Sequence, residues 1–223
     1  SAMMRLQQRI NGIRKPHVYV WGTGFINYSD ADGKFFKRNM EFCAVRGELT
    51  RKNVERMTGK KMDIPMADAG ILASELLKER PEVCYDVGVV PHLCDLKDPA
   101  VEKLLASYDN AKFINVKDDP LQVVKEIAEC RYIISSSLHG LIVADSLGIP
   151  NMYLVFGDRL LGDGYKFEDY YSAYGVEAQP RDLRTEKAPE LTEIEEQYQI
   201  LPEMVEEKKR QMKAAFPYPV KNR

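Results

Sequence analysis

The run Ser135-Ser136-Ser137-Leu138-His139-Gly140 follows the apolar stretch Arg131-Tyr132-Ile133-Ile134 and opens a second one that continues to Leu147. If the first stretch is a strand and the second a helix, the serines stand at a helix N-terminus. Free backbone N–H groups and about half a positive charge attract anions there. Hydroxyls at the same corner add donors with little bulk. His139, in the first helical turn, carries an imidazole whose ordinary pKa lies near neutrality toward the same ligand. Such a corner suits a small phosphate or carboxylate that must be held while a proton moves. The purely structural alternative is a serine-rich cap followed by an incidental histidine.

Other side chains could join that chemistry. Arg46 closes the β-prone run Glu41 to Arg46 and is either a bidentate carboxylate clamp or a surface residue at a strand–helix corner. Lys166, at a short predicted helix, is a second cation or a solvated lysine. His92 follows Pro91 at a strand end and can face a cleft. Gly22 and Gly24 either let the backbone approach a substrate or form a plain turn. Trp21, Tyr170, Tyr171 and Tyr174 offer stacking surfaces for a sugar, with core packing as the alternative. Asp169 orients a hydroxyl or favours the first turn of its helix. No metal site is expected. Cys43, Cys84, Cys94 and Cys130 include no CxxC pair, and His17, His92 and His139 lack ligand spacing. The four thiols are expected to be reduced and buried.

The elements that position these residues alternate between strand and helix. Strands are predicted at 17–21, 41–46, 84–90, 112–116, 131–134 and 151–156. Helices are predicted at 48–57 with Gly59 as C-cap, at 71–79, from the Asp98-Pro99 start to about Tyr108, from Asp119-Pro120, and at 138–147 closed by Gly148. In the Asp119 helix, Gln122 occupies the capping-box position, and Leu121, Val124, Ile127 and Ala128 share one face. The stretch 180–189 reads as a surface connector. The tail is helical, with a capping box at Thr192 and Glu195 and an apolar face through Ile194, Tyr198, Leu201, Val205, Met212 and Phe216; Pro202 kinks or restarts it. This alternation predicts βαβ units, a mostly parallel sheet, and ligands beyond the C-terminal strand ends. A change near Pro81 divides the chain into a partial α/β unit at 1–81, a second unit at 82–180, and a connector with helices at 181–223.

Composition narrows the partners. The chain has 223 residues, 44% hydrophobic and 30% charged, with a net charge of -2. That balance argues against a broad nucleic-acid surface, which needs clustered Lys and Arg. No apolar run approaches the roughly 20 residues of a membrane span. Ser1-Ala2-Met3-Met4 has no signal pattern and reads as a cloning remnant before a start methionine, so a cytoplasmic location is expected, with membrane association at most peripheral. Oligomeric state is not readable.

The run RYIISSSLHGLIVADSLGIPN resembles the C-terminal signature of the polysaccharide pyruvyltransferases, the bacterial exopolysaccharide group in particular. VWGTG (20–24), VRGELT (45–50), GVVPH (88–92) and KFEDYYSAYG (166–175) match in the same order. The chain departs from the family pattern in three places. It has no glycine- and aspartate-containing loop before VWGTG, it carries Ala67-Asp68-Ala69 for the family's Gly-Asp-Pro, and it has Ser137 where many relatives carry arginine. The resemblance implies two Rossmann-like units in a glycosyltransferase-B-like arrangement, the first incomplete. It implies phosphoenolpyruvate as donor substrate, a glycan or lipid-linked oligosaccharide as acceptor, and no cofactor. It places the donor at Ser135 to Gly140; within that reading His139 and Arg46 are the catalytic candidates, and Ser135, Ser136, Ser137, Gly140, Gly22, Gly24, His92 and Lys166 the candidate substrate-binding residues. A nucleotide-sugar glycosyltransferase and a non-catalytic subunit of a glycan assembly system are the competing readings.

Overall fold

The computed structural model describes residues 17–28, 39–157 and 164–218. Two parallel strands come first, β1 (Val18–Val20) and β2 (Met40–Phe42). The second strand lies earlier than the expected 41–46. Val45 instead makes isolated parallel bridges to Thr23 and Met66. Helix α1 (Glu48–Thr58) ends at Gly59, whose φ of 68° is the left-handed conformation that a C-cap glycine supplies. A 3-10 helix (Ala69–Leu76) replaces the α-helix expected over 71–79. Asp68 caps it through Gly70 N–H, and the Ser74 N–H donates to Ser146 Oγ at 2.8 Å, which diverts it from the helical ladder.

The main sheet contains β3 (Tyr85–Val90), β4 (Ala111–Phe113), β5 (Cys130–Ser135), β6 (Asn151–Val155) and β7 (Arg181–Asp182). Its order is β4-β3-β5-β6-β7 and every pairing is parallel. β7 lies inside the stretch read as a connector, where a two-residue pairing with Leu154 and Val155 leaves no periodicity to detect. Helices α2 (Pro99–Leu105), α3 (Pro120–Ala128), α4 (Leu138–Ser146), α5 (Tyr165–Ser172), α6 (Leu191–Gln197) and α7 (Pro202–Ala214) complete the chain.

Period-2 alternation sends β-strand side chains to both faces. Val90 and Ile133 pack with Ile127 and Ala144 under α3 and α4, whereas Val87, Val89 and Ile134 pack with Leu104 and Ile194 under α2 and α6. Helix α4 is buried on nearly every side. Its other face, Leu141 and Ile142, meets Ile71, Tyr170 and Met212 in a third cluster that joins the N-terminal segment to the tail.

Several local expectations change. Leu121 is 40% exposed, because the helix buries Val124, Ile127 and Ala128 instead. Gln122 turns forward to Glu126 rather than back to its cap. The tail's capping box is Glu190 with Glu193, two residues before the Thr192–Glu195 pair. Leu201 and Phe216 are exposed, and Pro202 restarts a helix at its first position. Of the four free cysteines only Cys130 is buried; Cys84 is exposed.

Candidate functional site

A cavity of about 550 Å3 opens at the C-terminal ends of β3, β4 and β5. This is where the strand order reverses, since β4 lies on one side of β3 and β5 on the other. Crevices for ligands form at such switch points because neighbouring connections leave in opposite directions. The start of α4 forms one wall through Ser137, Leu138, His139 and Gly140. Ser137 is the N-cap residue, yet its side chain makes no capping bond, so the first-turn amides of α4 keep their capacity for an anion.

The three serines have different fates. Ser135 Oγ donates to Val90 O at 2.7 Å or Ser137 O at 2.9 Å and accepts from Ser137 N–H at 3.0 Å. Ser136 Oγ donates to Asp95 Oδ2 at 2.7 Å and accepts from His92 N–H at 2.9 Å. Both are fully buried and hold the corner together, and only Ser137 reaches the cavity wall. Gly140 is required for close packing, since a Cβ there would stand 2.5 Å from Ser135 Oγ and 2.9 Å from Val90 Cγ1.

Four basic side chains meet in this cavity: Arg46, His92, His139 and Lys166. His139 is exposed to it. His92 Nδ1 lies 3.4 Å from Cys94 N and 3.0 Å from Cys94 Sγ. Burial and then the Lys166 charge push the His92 pKa down, against the pull of Asp95. Burial also lowers the Lys166 pKa, and the neighbouring Arg46 adds to this. An anion would relieve the mutual repulsion of these cations.

Arg46 does more than line the wall. Its Nε donates to Asp169 Oδ2 at 2.9 Å and its Nη2 to Phe25 O. Asp169 in turn accepts from Thr50 N–H at 2.8 Å and Thr50 Oγ1 at 2.7 Å, which caps the start of α1. Gly24 and Gly47 make room for this pair. A Cβ on Gly24 would lie 2.6 Å from Arg46 Cζ, and one on Gly47 would lie 1.6 Å from Asp169 O. Gly22, at φ 70°, packs against Ala69 N and Met212 Cε. Neither Gly22 nor Gly24 lines the cavity.

The aromatic candidates are elsewhere as well. Trp21 Nε1 donates to Met212 O at 2.9 Å, and Tyr170 OH donates to the buried Asp145 at 2.6 Å. The sequence reading missed Asp118, Val116 and Val123, which form the wall beyond β4. Among the described residues no cluster of acidic, His and Cys side chains is arranged to hold a metal, and no helix is long and apolar enough to cross a membrane.

Comparison with known proteins gives this arrangement a context. A family model described as polysaccharide pyruvyl transferase matches residues 10–156. The matched stretch includes every quoted motif except KFEDYYSAYG. An uncharacterized protein, L143, of Acanthamoeba polyphaga mimivirus is 34% identical over 166 residues, which are 72% of this chain and 56% of that protein. Succinoglycan biosynthesis protein ExoV of Rhizobium meliloti (strain 1021) is 23% identical over 169 residues, 74% of this chain and 50% of that protein. The chain spans about half the length of these curated relatives.

Proposed function

The chain belongs to the polysaccharide pyruvyl transferase family, and from that membership we propose that it transfers the enolpyruvyl group of phosphoenolpyruvate to a glycan as a ketal. The observation that carries the reading is the convergence of Arg46, His92, His139 and Lys166 on one cavity with the uncapped start of α4. Phosphoenolpyruvate is a compact polyanion, and a site for it must gather cations and N–H donors.

In this reading the phosphate rests on the α4 amides beside Ser137 and Lys166, and Arg46 meets the carboxylate. A proton delivered to the methylene carbon makes C2 electrophilic. One sugar hydroxyl attacks C2, the C2–O bond to phosphate breaks, and a second hydroxyl closes the ketal, so that two hydroxyl protons are released and inorganic phosphate departs. His139, exposed to the cavity, is the candidate acid or base. His92 is a candidate ligand for a departing phosphate oxygen. Ser135 and Ser136 are read as positioning residues that hold the corner.

The parallel pair β1–β2 supports reading 1–81 as part of a second Rossmann-like unit in a glycosyltransferase-B-like arrangement. Residues 82–180 would then carry the donor and 181–223 the connector and closing helices. Thermal unfolding with phosphoenolpyruvate, UDP- and GDP-sugars, or no ligand tests the function. Stabilisation by phosphoenolpyruvate that disappears in His139→Ala is expected. Stabilisation by nucleotide sugars alone would point to a glycosyltransferase, and no response to either would point to a non-catalytic subunit.

A further inference from the structure

The cavity is larger and less uniform than a three-carbon donor requires. Pockets of roughly 300–1,000 Å3 enclose most of a drug-sized molecule, and this one measures about 550 Å3. Three of its four basic side chains lie together: Lys166 is near enough to Arg46 and His92 for their charges to interact. Lys166 belongs to α5, which follows β6, whereas the opposite wall is built by the β4–α3 connector through Val116, Asp118, Pro120 and Val123. β4 is the edge strand and stands three strand spacings from β6, so the ends of those two strands are about 14 Å apart.

The far wall has its own chemistry. Asp118 is the one acidic side chain on the cavity lining among the described residues. Its N–H donates to Asn115 O at 3.0 Å, and Asn115 Nδ2 donates to Oδ1 at 3.1 Å. The Asn115 side-chain bond orients the exposed carboxylate through Oδ1 and leaves Oδ2 as an acceptor. The other residues of this wall that line the cavity, Val116, Pro120 and Val123, are aliphatic. A carboxylate above aliphatic groups repels a second anion and suits a neutral polyol, whose hydroxyls donate to the oxygen while its C–H face covers the apolar surface.

We propose that the β4–α3 wall is the acceptor subsite, that it takes a neutral pyranose unit rather than a uronate, and that Asp118 accepts a hydrogen bond from one of the sugar hydroxyls. The proposal rests on the donor reading above and adds the acceptor's chemical class.

Saturation-transfer NMR tests it on the whole chain saturated with phosphoenolpyruvate, using methyl β-galactopyranoside, methyl β-glucopyranoside and the corresponding methyl glucuronide. At least one neutral glycoside binds, and the glucuronide binds at least about 10-fold more weakly. Asp118→Ala weakens the neutral glycoside by about 10- to 100-fold, the range for a lost charge-assisted hydrogen bond. Asp118 is exposed, so the variant keeps its fold and its stabilisation by phosphoenolpyruvate. Equal binding of glucuronide, unchanged binding in Asp118→Ala, or a wild-type chain that takes phosphoenolpyruvate but neither neutral glycoside overturns the acceptor subsite alone. A wild-type chain that does not bind phosphoenolpyruvate overturns the donor reading and this proposal with it.

Discussion

Replacing Arg46 by alanine should unsettle the fold as much as the cavity. The Arg46 and Asp169 side chains are 8% and 0% exposed, so the substitution strands a carboxylate in a place water hardly reaches. Removing one partner of a buried pair costs about 3–5 kcal/mol, mostly from the charge left behind. Asp169 retains two hydrogen bonds from Thr50, which sets the loss near the lower end, about 3 kcal/mol. In a chain of this size each kcal/mol moves Tm by about 2–4 °C, so Arg46→Ala should melt about 6–12 °C lower. Arg46→Lys keeps a charge but not the fork that reaches both Asp169 and Phe25 O, and it should fall in between. Circular dichroism melting curves of the three proteins measure this. A drop under about 2 °C for the alanine variant would mean that the pair behaves like a solvated surface bridge, and the buried-clamp reasoning would fail. Ligand binding by Arg46 variants must accordingly be compared at temperatures where each is folded.

Three further outcomes follow from other contacts. Gly140→Ala drives a Cβ into Ser135 Oγ and Val90 Cγ1, and should cost about 1–3 kcal/mol, read as a lower urea midpoint with an unchanged m-value. Burial raises the Asp145 carboxyl from 3.8 to about 6 despite hydrogen bonds from Tyr170, Asn151 and Tyr198. Its stabilising contribution is therefore full below about pH 4 and lost as pH rises through about 6, on the order of 3 kcal/mol; the difference in urea midpoint between wild type and Asp145→Asn should change over that interval. Lys166→Ala removes a half-buried cation beside Arg46, so the free protein's Tm should shift by less than about 2 °C while stabilisation by phosphoenolpyruvate is cut, as differential scanning fluorimetry would record.

What could be read from the residues was mostly local. Asp98-Pro99, Asp119-Pro120 and Gly59 mark helix ends because capping is decided within a few residues. β3, β5 and β6 stand out through the apolar runs at 87–90, 132–134 and 152–155, which coverage on both faces calls for. The failures share a distant cause. Asp95 and the Val90 carbonyl, about 40 residues upstream, decide what the Ser135 and Ser136 hydroxyls do. Asp169, 123 residues away, explains both Arg46 and the neighbouring glycines. Trp21 was a stacking candidate until the tail's Met212 carbonyl engaged it. The cavity's cations were visible one by one, but Asp118 and its aliphatic neighbours carry no local mark that would join them to it.

The chain has three histidines, so the ring resonances form a sparse NMR spectrum. Titrating phosphoenolpyruvate while following them tests the anion cavity most directly. His92 and His139 line the cavity, whereas His17 pairs with Glu41 beside β1. The first two rings should shift in parallel and saturate together, and His17 should stay still. Three unmoved rings, or movement of His17 alone, would contradict the account.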